Sequence, residues 1–299
     1  MTVESLKTFC DLVDTASFPR AARLNFVTQS AVSQQLRTLE RRYGCRLVDR
    51  GPRRDLRVTD AGKLLYTEAK AALERLTLVE QRLRHRPDVV AGPVTIASVT
   101  SVGLHTLPEP MKSFLRAYPQ VNLRLLYRRT DEIYQACLDR TVDLGIVAIP
   151  ARRPQLELVR LRPDELVLAC PPAHPLARAA RVTPASLRDA RFIAFDRDIP
   201  TRRLVDRFLR ARRVPVVIAM ELDNIETIKR SVEAGLGVSI LPRPALENEI
   251  KAGTLVARPL GPTRLQRPIG IIYRRSAGGG ELSVAARALL EVLRRDLGA

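Results

Sequence analysis

The sequence predicts three consecutive parts: an N-terminal winged helix-turn-helix (α with a small β wing), a long linker helix, and a C-terminal α/β domain of two lobes. Three observations carry this. Residues 17–62 hold two short helical patterns joined by a tight connection and followed by an arginine cluster. A single apolar stripe then continues to about Arg84. The remaining two-thirds alternates strand and helix signals, the pattern of a doubly wound α/β fold.

In the first part, Ser17 suits an N-cap, and Pro19 sits in the first turn, where its missing N–H costs nothing. Ala21, Ala22 and Leu24 are expected to face a core, with the helix stopping near Asn25-Phe26. Thr28 offers a second N-cap, and the run Gln29 to Arg41 begins there. Val32, Leu36 and Leu39 share one helical face, while Ser30, Ser33, Gln34, Arg37 and Arg41 collect on the other. A helix entering the major groove needs short hydroxyls and amides in its first turns for base edges, and arginines further along for phosphates. An ordinary solvated helix face would show the same polarity, so the flanking residues decide. Gly44 suits the C-terminal cap, and Arg46–Val48 and Leu56–Val58 read as two short strands around Gly51-Pro52. Seven arginines against two aspartates between Arg41 and Thr59 fit a phosphate-gripping wing. The candidate DNA-contacting residues are therefore Gln29, Ser30, Ser33, Gln34, Arg37, Arg50, Arg53 and Arg54.

From Thr59-Asp60 to Arg84, Leu65, Ala69, Ala72, Leu76, Val79 and Leu83 recur by four and three. Such a seam suits a partner helix in a second copy of the chain, or the protein's own C-terminal part. Arg86-Pro87-Asp88 and Gly92-Pro93 read as a hinge.

Beyond it, strands are expected at Val94–Ala97, Val121–Tyr127, Val142–Ile149, Leu166–Cys170, Phe192–Phe195, Val216–Met220, Gly237–Leu241 and Ile269–Tyr273. Helices are expected through Leu107, Met111 and Leu115, and over Asp131–Leu138, Thr201–Arg212, Asn224–Ala234 and Leu282–Leu297. With the chain crossing between lobes near residues 161–165 and 262–268, this is a periplasmic-binding-protein-like architecture. A ligand site in such a fold lies between the lobes at the C-terminal ends of strands. Ser98, Thr100 and Ser101 follow the first strand directly, and their hydroxyls beside free N–H groups suit a small anion. Asn224, opening the helix after the Met220 strand, is a further candidate. Simple N-capping is the competing role for each.

The N-terminal segment resembles the LysR-type transcriptional regulators. The match runs without gaps through Leu6, Phe9, Ser17-Phe18, Ala21-Ala22, Leu24, Thr28-Gln29-Ser30-Ala31-Val32-Ser33, Leu36, Leu39-Glu40, Gly44, Leu47, Arg50, Leu56, Thr59 and Gly62. Val48-Asp49 departs from the usual Phe and acidic residue. Val142–Val147 and Val232–Pro242 extend the likeness over the C-terminal part, which the resemblance makes an effector domain. The resemblance also implies that Thr130, Pro200 and Thr201 line the cleft. It implies a linker-helix dimer, usually within a tetramer, reading an interrupted inverted repeat, with RNA polymerase as a further candidate partner. The domain expectation is residues 1–58 for the winged helix-turn-helix, 59–86 for the linker helix, 87–92 for the hinge, and 93–299 for the effector domain. Within the last, lobe I takes 93–162 and 267–299, and lobe II takes 163–266.

Composition permits a polyanionic partner without proving one. The formal charge is +18, yet residues 1–92 hold only 17 basic against 11 acidic side chains, so the excess is not concentrated in the DNA-reading part. Cys10, Cys45, Cys137 and Cys170 are scattered, which argues against a zinc site or a disulfide framework. Met1–Lys7 has no apolar export signal and no stretch approaches a membrane span, so a cytoplasmic, membrane-free protein is expected. No nucleophile, phosphate-loop or metalloprotease string occurs, and His85, His105 and His174 stand apart. Neither enzyme activity, nor a cofactor, nor a metal is expected. The alternatives are a solute-binding or transport component, and a ligand-processing enzyme on the two-lobed domain.

Overall fold

The computed structural model describes the backbone of residues 2–50, 56–84, 90–261, 264–275 and 282–298, and within these all side chains except residues 50, 74, 75 and 78–84. The chain forms two units, Met1–Val89 and Val90–Ala299.

In the first unit, helices α1 (Val3–Thr15), α2 (Phe18–Leu24) and α3 (Gln29–Tyr43) pack around Phe9, Leu12, Ala21, Ala22, Val32, Leu36 and Leu39. Thr28 caps α3 by accepting the Ala31 N–H at 3.2 Å, and Gly44 ends it in the left-handed conformation (φ 66°). Ser17 occupies the N-cap position of α2, but its hydroxyl makes no capping bond. Leu24, expected inward, is 53% exposed. Its neighbour Asn25 turns in instead, donating to Asp11 at 2.8 Å and accepting from Lys7 at 2.9 Å. The wing strands are β1 (Val48–Arg50) and β2 (Leu56–Val58), so the first lies two residues later than expected. The cause is Glu40, whose carboxylate accepts the Leu47 and Val48 N–H groups and ties the wing's base to α3.

Helix α4 (Asp60–Arg84) starts where the Thr59 hydroxyl accepts the Gly62 N–H and donates to the Arg46 carbonyl. Gly62 is obligatory there, because a Cβ would lie 2.1 Å from the Leu47 carbonyl oxygen. The stripe divides in two. Leu65 and Ala69 pack toward α1, aided by Lys70 and Tyr66 on Asp14, whereas Ala72 and Leu76 are exposed. The side chains of Val79 and Leu83, all of His85, and hinge residues 87–89 lie outside the described residues.

The second unit runs β3 (Gly92–Ser98), α5 (Thr100–His105), α6 (Pro108–Ala117), β4 (Val121–Tyr127), α7 (Thr130–Leu138), β5 (Leu144–Ala148) and β6 (Leu156–Cys170). It continues with α8 (Pro175–Arg178), β7 (Arg191–Phe195), α9 (Pro200–Ala211), β8 (Val217–Leu222), α10 (Ile225–Glu233) and β9 (Ser239–Pro242). It ends with α11 (Glu247–Ala252), β10 (Val256–Arg258), β11 (Leu265–Arg274) and α12 (Val284–Leu297). The helix expected through Leu107 is two helices. Pro108 has no N–H to extend α5, yet fits the first turn of α6.

Parallel strands β4, β3 and β5 meet antiparallel β11 in lobe I, and β6 carries the sheet onward to β9 and β10. Lobe II adds the parallel pair β7–β8. The crossing near 161–165 is not a break: β6 is one strand of 15 residues paired with β11. Its register shifts between Arg267 and Ile269, with Pro268 inside the shift and Pro163 on the strand opposite. Proline lacks the donor that a regular ladder requires, so it collects at such irregularities. Apolar side chains cover both faces of each lobe's sheet, one core centring on Ile96, Phe114 and Leu289 and another on Leu168, Phe192 and Ile240.

Candidate functional site

Two candidate sites lie in separate units. In the first, Gln29, Ser30, Gln34 and Arg37 are exposed along α3 and Ser33 is half-buried, while Val32, Leu36 and Leu39 are buried on the opposite side. The capping geometry leaves the first N–H groups of α3 facing out beside these side chains. The Ser30 hydroxyl lies 2.9 Å from that of Thr28, which orients it at the helix start. Arg50 starts no new element but closes β1; its side chain, and all of Arg53 and Arg54 with the Gly51-Pro52 turn, lie outside the described residues.

In the second unit, a cleft of about 510 Å³ opens between the lobes. That volume accommodates a small molecule. Its walls are the residues that follow strand C-termini: Thr100 and Ser101 after β3, Thr130 after β4, Pro200 and Thr201 after β7, and Asn224 after β8. Helices α7, α9 and α10 all begin on it, so their positive dipole ends converge. Ser98 belongs elsewhere. It is fully buried, and its hydroxyl donates to the Val99 carbonyl at 3.0 Å, supporting the loop from beneath. Asn224 has a second task, accepting the Glu226 N–H at 2.8 Å as the cap of α10.

Sequence reasoning missed the central cation, Arg267, which is 2% exposed. Its Nη1 donates to the Ser101 hydroxyl of lobe I at 3.1 Å and to the Thr201 hydroxyl of lobe II at 3.4 Å. Its Nη2 donates to Asp164 at 2.5 Å, while the buried Nε finds no acceptor among the described residues. The signal was available: an arginine stands directly before the apolar run 268–273 of β11, at the lobe crossing.

Further contacts span the cleft. Arg129 pairs with Asp198, and more loosely with Asp196 at 3.6 Å. His105, isolated from the other histidines in sequence, has a side chain only 11% exposed that hydrogen-bonds Glu226 at 2.8 Å. Burial works against the Glu226 charge, but Lys229 and His105 outweigh it and hold the carboxyl below its ordinary range. Lys229 is itself buried, donating to the Ala245 carbonyl at 3.0 Å and pairing with Glu249 at 2.9 Å. The loop before α9 is braced from behind by Arg202, which donates to the Phe195 carbonyl and to Glu221. Burial opposes the Arg202 charge, yet Glu221 and Asp206 more than offset it.

This geometry offers donors and paired charges to an anion rather than a nucleophile with its base. Burial pushes the Cys10 and Cys137 thiols up to about 12, which disfavours a reactive thiolate. Among the described residues no group of His, Cys, Asp and Glu is placed to hold a metal, and no helix is long and apolar enough to cross a membrane.

Comparison with known proteins gives a family match for each unit. The family model described as bacterial regulatory helix-turn-helix protein, lysR family, matches residues 3–63, and that described as LysR substrate binding domain matches residues 87–298. The HTH-type transcriptional regulator YeiE of Escherichia coli (strain K12) is 35% identical over 293 residues, covering 97% of this chain and 96% of its own. The "Probable RuBisCO transcriptional regulator" of Synechocystis is 29% identical over 280 residues, 91% of this chain and 80% of its own. In fold, a full-length OxyR variant from Pseudomonas aeruginosa superposes with a TM-score of 0.77 at 22% identity, covering 99% of this chain and 94% of its own. CbnR, a LysR family transcriptional regulator, gives 0.71 at 21% identity and 99% coverage of each chain.

Proposed function

Because the chain belongs to the LysR-type family of transcriptional regulators, with a DNA-binding helix-turn-helix and an effector-binding domain, we propose that it reads promoter DNA under the control of a small anion held between its lobes. One observation carries the anion. A single buried guanidinium, Arg267, donates to a hydroxyl from each lobe, Ser101 and Thr201. Asp164 already neutralises its charge, so recognition falls to the hydroxyls and the helix N-termini around it.

On the DNA side, Gln29, Ser30, Ser33 and Gln34 read base edges, and Arg37, Arg50, Arg53 and Arg54 hold phosphates. The exposed Ala72 and Leu76 of α4 support pairing with a second copy. A dimer sets two copies of α3 on an interrupted inverted repeat, and two dimers form a tetramer. RNA polymerase is the downstream partner, and the cytoplasm, where promoter DNA lies, is the site of action. The effector acts only through its differential affinity for alternative lobe geometries, which changes how the paired helices hold the duplex.

Sensing and catalysis separate in one experiment. Gel shifts of upstream DNA with a panel of metabolite anions should identify one that changes the complex, and prolonged incubation followed by mass spectrometry should return it unaltered. Turnover of the anion would turn the assignment toward an enzyme. Absence of any preferred DNA site would remove the regulatory role of α3.

A further inference from the structure

Phe26 stands in the turn between α2 and α3, and its side chain is 97% exposed. Its backbone is left-handed (φ 54°). The surrounding hydrogen bonds explain why. The Val27 N–H donates to the Ala22 carbonyl at 3.0 Å and the Phe26 N–H to the Arg23 carbonyl at 3.3 Å, the paired closure that ends a helix with a left-handed residue. Glycine is the usual occupant of that position and asparagine the next, because a Cβ is strained there. A phenylalanine at this point therefore costs the fold twice, in backbone strain and in apolar surface left to water. It contributes nothing to the core of its unit.

We propose that Phe26 is a DNA-contacting side chain that seats against the 5-methyl group of a thymine in each half-site. The inference rests on the reading that α3 enters the major groove, and it adds an apolar contact to that polar face. Phe26 lies two residues before the α3 cap Thr28, and every residue from Phe26 to Ser30 is exposed. In a helix-turn-helix this turn joins the helix crossing the backbone to the helix in the groove. Arg20 and Arg23 of α2 are exposed on its other side, a setting that attracts phosphate. The thymine methyl is the apolar feature of the major-groove edge, and phenylalanine is among the side chains that meet it.

The test begins with the full chain selecting its site from randomised duplexes. The selected site is then remade with each thymine replaced in turn by deoxyuridine, which removes only the methyl group. Wild-type affinity should fall about threefold to fivefold at one position in each half-site, the factor expected for one buried methyl. Phe26→Gly and Phe26→Asn should bind the unmodified site more weakly by a similar factor and be indifferent to that replacement. Both should melt at the wild-type temperature or above, because each relieves the left-handed strain. Wild-type indifference to every deoxyuridine, retained sensitivity in the variants, or variants that melt lower or change oligomeric state would overturn the proposal. Failure to select any site would instead sink the groove reading of α3.

Discussion

Arg267 on β11 and Asp164 on β6 are direct partners in the strand ladder, their side chains 2.5 Å apart where both strands pass between the lobes. Their backbone pairing holds the crossing together, and their ion pair fixes the guanidinium on which the cleft converges. Both side chains are nearly inaccessible, so the pair is costly to break from one side. Arg267→Met or Asp164→Leu alone should destabilise the effector domain by roughly 3–5 kcal/mol. The double variant should recover most of that loss in urea titrations, yet no longer respond to the anion. Equal destabilisation in all three would show that the pair's surroundings, not its charge balance, dominate.

Thr100→Val combined with Ser101→Ala removes two hydroxyls from the cleft wall without touching the first unit. Anion affinity should fall by about twofold to tenfold for each lost hydrogen bond, while operator binding without anion stays at the wild-type level. Thermal shifts against anion concentration measure the first quantity and gel shifts the second. Loss of operator binding itself would assign these hydroxyls to structure.

Along α3, Ser33→Ala and Gln34→Ala should lower the ratio of operator to random-sequence affinity, by about 1–3 kcal/mol for a lost base contact. Arg53→Ala or Arg54→Ala should weaken binding to both duplexes alike. Each arginine change should reduce the slope of log affinity against log salt by about one. Unchanged specificity in both α3 variants would move the base-reading face elsewhere.

Acid should loosen the contact between α5 and α10. The Glu226 carboxyl titrates below its ordinary range in the folded chain, so the unfolded chain takes up its proton first as pH falls. The stability that this group contributes is complete above pH about 4.3 and is lost as pH falls through the folded value. Glu226→Gln should therefore flatten the acid limb of the melting curve below that point. Lys229→Met leaves Glu249 buried without its ammonium and should cost about 3–5 kcal/mol at neutral pH. A parallel acid limb in wild type and Glu226→Gln would assign the loss to other carboxylates.

Much of this molecule was legible from local chemistry alone. Thr28 and Gly44 bound α3 because a cap needs only the hydrogen bonds and backbone angles of its own turn. Val32, Leu36 and Leu39 are buried as their spacing requires, and the hydroxyl-bearing positions after β3 and β7 reach the cleft because strand ends in this topology do. Tertiary structure decided what depends on residues distant in the chain. It turned Asn25 inward in place of Leu24 by supplying Asp11 and Lys7, and it buried Ser98 where neighbouring hydroxyl-bearing residues line the cleft. It brought Arg267 to Asp164 across 103 positions and His105 to Glu226 across 121. Periodicity reports which side of an element faces inward, but the partner of a buried charge is set by which strands the sheet places side by side.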